Sequence, residues 1–91
     1  MIRSFTHKGL KRFAGRGDAS RIPVKNTARV RRALLALDAA SRPEDLNLPG
    51  FRFHRLKGDR AGTFSITISG NWRLTFRWDE GALDVDMEDY H

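Results

Sequence analysis

Apolar and polar residues alternate along the second half of the chain, and that alternation is its clearest structural signal. Thr63 to Ile68 places Phe64, Ile66 and Ile68 on one face, and Ser69-Gly70-Asn71 follows as a hairpin turn. Trp72, Leu74, Phe76 and Trp78 then share a face, with Arg73, Thr75 and Arg77 on the other. After a turn at Asp79-Glu80-Gly81-Ala82, the run Leu83-Asp84-Val85-Asp86-Met87-Glu88 alternates again and predicts a final strand. Pairing Trp78 with Leu83 sets Phe76 opposite Val85 and Leu74 opposite Met87; it also sets Arg77 against Asp84 and Arg73 against Glu88. Both faces agree in that register, and a one-residue slip would invert every side chain.

Upstream the period changes. Between Val24 and Ala40, Val30, Ala33, Leu34 and Leu37 recur at i, i+3, i+4 and i+7 and predict a helix with one apolar face, starting near Pro23. Arg29, Arg31 and Arg32 fall largely outside that face, which predicts a solvated or partner-facing surface. A shorter helix is expected over His7 to Ala14, with Thr6 as its N-cap and Leu10 and Phe13 turned inward. Ile2-Arg3-Ser4-Phe5 has the pattern of an edge strand, and Phe51 to Leu56 that of a further strand. The sum is a single α+β domain over residues 1–91: two N-terminal helices on one face of a mostly antiparallel sheet of four to five strands.

Composition narrows the partners. Lys and Arg number 17 against 11 Asp and Glu, a net charge of +6 that attracts polyanions. Most cations precede residue 61, whereas acids gather after Trp78. No cysteine is present, which removes disulfides and thiolate metal sites, and His7, His54 and His91 are too scattered for a metal-binding motif. No cofactor is called for. Neither a signal peptide nor an apolar span of membrane length is visible, so the expected compartment is the cytoplasm, away from membranes.

Two polar clusters carry candidate chemistry. One is His54-Arg55-Leu56-Lys57-Gly58-Asp59-Arg60, at the end of an apolar stretch; the other is Asp89-Tyr90-His91, directly after the final strand. Metal-free RNA cleavage needs a base for the 2′-hydroxyl, an acid for the departing 5′-oxygen, and cations for the phosphorane. Imidazoles at His54 and His91 suit acid or base at neutral pH. Lys57, Arg60 and Arg73 suit phosphate, Tyr90 offers a hydroxyl and a stacking ring, and Asp89 can orient an imidazole. Each also has an ordinary structural reading: a surface histidine, a turn lysine, an arginine balancing Glu88, a tyrosine at the core edge. From residue chemistry alone the reading stops at a basic RNA-binding α+β domain with the equipment of a nuclease.

These segments, together with Ser65-Ile66-Thr67 and Asn71-Trp72-Arg73-Leu74-Thr75-Phe76, resemble in order and spacing the HigB branch of the RelE/ParE toxin superfamily. The resemblance implies a RelE-like microbial ribonuclease-type fold and a toxin that cuts messenger RNA in the A site of the 70S ribosome, stopping translation. Position by position it carries over His54, Lys57, Asp89, Tyr90 and His91 as catalytic-site residues and Arg73 as a phosphate or active-site contact, while Arg60 is a substrate-binding candidate on its charge alone. It implies as partner a HigA-like helix-turn-helix antitoxin, through which alone operator DNA would be touched. Two rivals remain open at this point. One is a gyrase-directed toxin of the ParE type; the other is a ribosome-binding inhibitor without catalysis.

Overall fold

The computed structural model describes residues 1–90, and their order is α1 (Lys8–Arg16), α2 (Thr27–Ala39), β1 (His54–Arg55), β2 (Thr63–Ser69), β3 (Trp72–Trp78) and β4 (Ala82–Asp89). Single 3-10 turns occupy Pro43–Leu46 and Gly58–Arg60. The four strands form one sheet in the order β1-β2-β3-β4, each pair antiparallel, with both helices on one face. The expected α+β architecture is the one observed.

Helix starts are set by side-chain caps. His7 Nδ1 accepts the N–H of Leu10 at 3.1 Å, so His7, not Thr6, caps α1. Asn26 Oδ1 accepts the N–H of Arg29 at 3.1 Å, which delays α2 to Thr27, well past Pro23. In both cases a polar side chain satisfies an N–H that the first helical turn leaves unpaired. Gly17, at φ 70°, closes α1 and returns its own N–H to Phe13 O at 2.9 Å.

The β3–β4 hairpin keeps the expected register at its open end, where Leu74 faces Met87 and Arg73 faces Glu88. Toward the turn it shifts: Arg77 pairs with Leu83 and Trp78 with Ala82, not Trp78 with Leu83. A bulge in β4 causes this, with Asp84 at φ 51°. The bulge lets the first residues of the chain bond to the outer edge of β4. Ala82 and Val85 donate N–H groups to Met1 O and Ser4 O at 3.1 Å each, and Arg3 and Thr6 donate back to Ala82 O and Val85 O. Ile2 to Phe5 therefore behaves as the edge segment its alternation suggested, through two parallel bridges. It covers an edge that would otherwise stay open.

The core lies between the layers. Leu10 and Phe13 of α1 and Val30, Ala33, Leu34 and Leu37 of α2 bury against Ile66, Ile68, Leu74, Phe76, Val85 and Met87. Phe51 belongs to it although no strand forms around Phe51; only His54–Arg55 is extended and paired. Arg52 adopts φ 50°, which turns the chain so that the preceding ring enters the core. Arg29 corrects the expectation for the arginine-rich face of α2. Its Nη2 donates to Gly50 O at 2.6 Å and Thr67 O at 2.9 Å, and its guanidinium stacks 5.0 Å from the Phe51 ring centroid. Arg31 and Arg32 stay exposed, as expected, while lying over Phe13 and Phe51.

Candidate active site

Because side chains alternate across a strand, the residues between the core positions form the outer face of the sheet. Two rows cross it. His54, Ser65, Thr75 and Asp86 are successive cross-strand partners, as are Thr67, Arg73 and Glu88. An outer face is normally wet, yet Thr75 is only 2% exposed and Ser65 only 3%. Over Thr75 lies an ion pair that starts from the turn Gly58–Arg60. Arg60 reaches over β2 and β3 to Glu88 on β4, donating from Nη1 to Oε1 at 2.7 Å and from Nη2 to Oε2 at 2.6 Å. Thr75 Oγ1 donates to the same Oε2 at 2.5 Å.

This two-pronged pair governs the local electrostatics. The hydrogen bonds from Arg60 hold the Glu88 carboxyl below its ordinary value, against a smaller upward push from burial and with help from Thr75. Reciprocally, hydrogen bonding to Glu88 raises Arg60 further above its ordinary value. Both groups are charged over any physiological pH. Arg60 thus meets a carboxylate in this structure, with Nη1 also 3.4 Å from the Tyr90 hydroxyl.

The expected partnership between Arg73 and Glu88 holds for the backbone only. Their Cα atoms pair, but Arg73 turns away; its Nη1 donates to Gly70 O at 3.0 Å and its guanidinium lies 5.8 Å from the Tyr90 ring centroid. Tyr90 is tied in as well, its N–H donating to Asn71 O at 2.8 Å. The mid-chain turn and the end of β4 therefore meet on one face of the sheet, through Arg60, Glu88, Tyr90 and Arg73.

The other residues singled out from the sequence are placed as follows. His54 stands on β1, opposite Ser65 and exposed. It lies three strands from β4, roughly 14 Å at ordinary strand spacing. Lys57 is exposed and immediately precedes the turn that carries Arg60, whose N–H donates to Lys57 O at 3.3 Å. Asp89 is exposed at the last position of β4, paired with Trp72. His91 lies outside the described residues. Thr75 was not singled out from the sequence; its signal was a lone hydroxyl between two arginines on the polar face of a central strand. A groove on the helical side of the domain, lined by Phe5, Phe13, Leu34, Arg12 and Arg31 among others, contains none of these residues.

A small antiparallel sheet backed by two helices, with the Arg60–Glu88 pair and Tyr90 on its outer side, is matched first at the level of class: residues 3–91 fit the family model described as RelE-like toxin of type II toxin-antitoxin system HigB. The chain is also 44% identical over 92 residues, spanning the whole of both proteins, to Endoribonuclease HigB of Proteus vulgaris. It is 36% identical to Toxin HigB-1 of Vibrio cholerae serotype O1 over 97% of this chain and 96% of that one. The chain belongs to the HigB-like toxin family. Membership makes it the toxin of a type II toxin–antitoxin pair and implies an antitoxin partner.

Proposed function

We propose that this toxin is a metal-independent endoribonuclease that enters the ribosomal A site and cuts the message there, in the cytoplasm, until a HigA-like antitoxin restrains it. The supporting observation is the Arg60–Glu88 pair, which draws the turn after Lys57 onto β4, the strand that leads to Tyr90. The endonuclease named among its relatives spans the same length with 44% identity, which supports the same chemistry here.

In this reading the 2′-hydroxyl oxygen bonds to the adjacent phosphorus and the P–O5′ bond breaks, leaving a 2′,3′-cyclic phosphate and a 5′-hydroxyl. One proton leaves the 2′-oxygen and one arrives at the 5′-oxygen, so the step needs no oxidant or reductant. His54 and His91 are the proton carriers, with Asp89 orienting one imidazole. Lys57 stabilises phosphorane charge, and Arg73 steadies the phosphate beside the Tyr90 ring, on which a base stacks. With His54 on β1 and Tyr90 just beyond β4, a stretch of RNA lies between them instead of the two side chains touching each other.

The test is primer extension on message bound to 70S ribosomes, comparing the wild type with Lys57→Ala and a variant ending at Tyr90. The wild type is expected to leave A-site cuts. Both variants should lose most of them, Lys57→Ala by about 10²–10³-fold, while still sedimenting with ribosomes. Intact message with halted translation would replace catalysis by occlusion of the A site, and inhibited DNA supercoiling would redirect the assignment to gyrase.

A further inference from the structure

Glu88 is a carboxylate on the face that the proposed function gives to RNA, where it would ordinarily repel substrate. Its geometry supplies a reason. The side chain is 24% exposed and receives three hydrogen bonds, two from Arg60 and one from Thr75. A carboxylate used so fully has little left for a substrate hydroxyl or for proton transfer. Arg60, in turn, gives both outer nitrogens to it, which leaves the guanidinium poorly placed to clamp a phosphate in two-pronged fashion. The two residues sit close in sequence to opposite halves of the site. Arg60 ends the turn that follows Lys57, and Glu88 lies on β4, two residues before Tyr90.

We infer that Glu88 is a positioning residue, the anchor of a brace in which Arg60 serves as the strut, and that this brace fixes Lys57 relative to the Tyr90 end of β4. Thr75, buried on the central strand, holds the carboxylate at the angle that receives the fork. The brace also neutralises Arg60, which leaves Lys57 and Arg73 as the candidate-site cations to meet a phosphate. This assignment rests on the endoribonuclease reading for its catalytic consequence but not for its structural one, and the test separates the two.

Four proteins decide it: the wild type, Glu88→Gln, Arg60→Lys and the exchanged pair Arg60→Glu/Glu88→Arg. Amide resonances of residues 57–60 and 88–90 are expected to shift and broaden together in both single variants and to recover in the exchanged pair. In cleavage of ribosome-bound message, each single variant should lower kcat by about tenfold or more with KM for programmed ribosomes within about twofold, and the exchanged pair should regain most of the rate. A folded exchanged pair as inactive as the single variants would show that Arg60 itself meets the RNA and would overturn the inference. So would unchanged resonances in Glu88→Gln, or a loss confined to KM. If the wild type cuts nothing while the resonances behave as stated, the endoribonuclease reading falls and the brace stands.

Discussion

Tyr90 donates its main-chain N–H to the carbonyl of Asn71 at 2.8 Å, so the backbone just beyond β4 is hydrogen-bonded to the hairpin between β2 and β3. The bond leaves the ring free to lie beside Arg73 and the hydroxyl near Arg60.

The ring and the hydroxyl of Tyr90 make separable predictions. If a base stacks on the ring, Tyr90→Ala should cost about 1–3 kcal/mol, or roughly 5- to 150-fold in cleavage rate. Tyr90→Phe keeps the ring and the Asn71 bond, and its rate should stay within about fivefold of the wild type if the hydroxyl transfers no proton. Single-turnover cleavage of ribosome-bound message measures both. A Phe variant as slow as the Ala variant would move the hydroxyl into the proton-transfer chemistry.

Acid stability provides a check that involves no RNA. Arg60 holds the folded-state Glu88 carboxyl below its ordinary value of 4.5. A group so depressed stabilises the fold fully above its unfolded value, and that contribution is lost as pH falls through the folded one. The urea midpoint of the wild type should therefore decline below about pH 4.5, and Glu88→Gln should flatten part of that decline. Asp18, Glu44 and Asp45 are lowered too, so some acid sensitivity will remain in the variant. Equal slopes in the two proteins would mean that the Arg60 pair contributes nothing to folding.

Gly9 makes a close approach that no other residue could repeat unchanged. It is buried in α1, and an added Cβ would stand 2.8 Å from the main-chain oxygen of Arg21 and 2.8 Å from the His7 ring. Backbone on one side and the capping imidazole on the other leave little room to yield. Gly9→Ala should therefore destabilise the protein by about 1–3 kcal/mol despite the better helix propensity of alanine, read as a lower urea midpoint. His7→Ala should cost about 0.5–2 kcal/mol through the lost cap.

How far the sequence could be read follows from which signals are local. Core-facing positions on β2, β3, α1 and α2 were legible because each strand or helix repeats its own period, and Ile66, Leu74, Val30 and Leu37 lie where that period puts them. The candidate site was legible as two clusters, but not as a geometry. Nothing in the alternation of β3 and β4 distinguishes Arg73 from Arg60 as the partner of Glu88, because Arg60 arrives from a turn across the sheet. Arg29 was misread for a similar reason. A helical wheel assigns it to solvent, whereas the carbonyls of Gly50 and Thr67, set by a loop and by an irregular end of β2, each needed a donor.

The β4 bulge tests this last point, since it too escaped the alternation. Asp84 sits at φ 51°, a region that asparagine, aspartate and glycine tolerate and β-branched residues do not. Its N–H receives an acceptor from outside the hairpin, Ser4 Oγ at 2.9 Å, and its carboxylate lies 3.8 Å from Arg77. That surface ion pair is exposed on both sides and contributes little. Asp84→Gly should therefore leave the urea midpoint nearly unchanged, whereas Asp84→Val should cost about 1–3 kcal/mol in backbone strain. The strain has one way out: the hairpin can abandon the bulge for the regular register that places Trp78 opposite Leu83. Cross-strand amide contacts in the valine variant would reveal that shift. The edge would then lose the match between Ala82, Val85 and the first residues of the chain, and Met1 to Thr6 should exchange their amide protons faster.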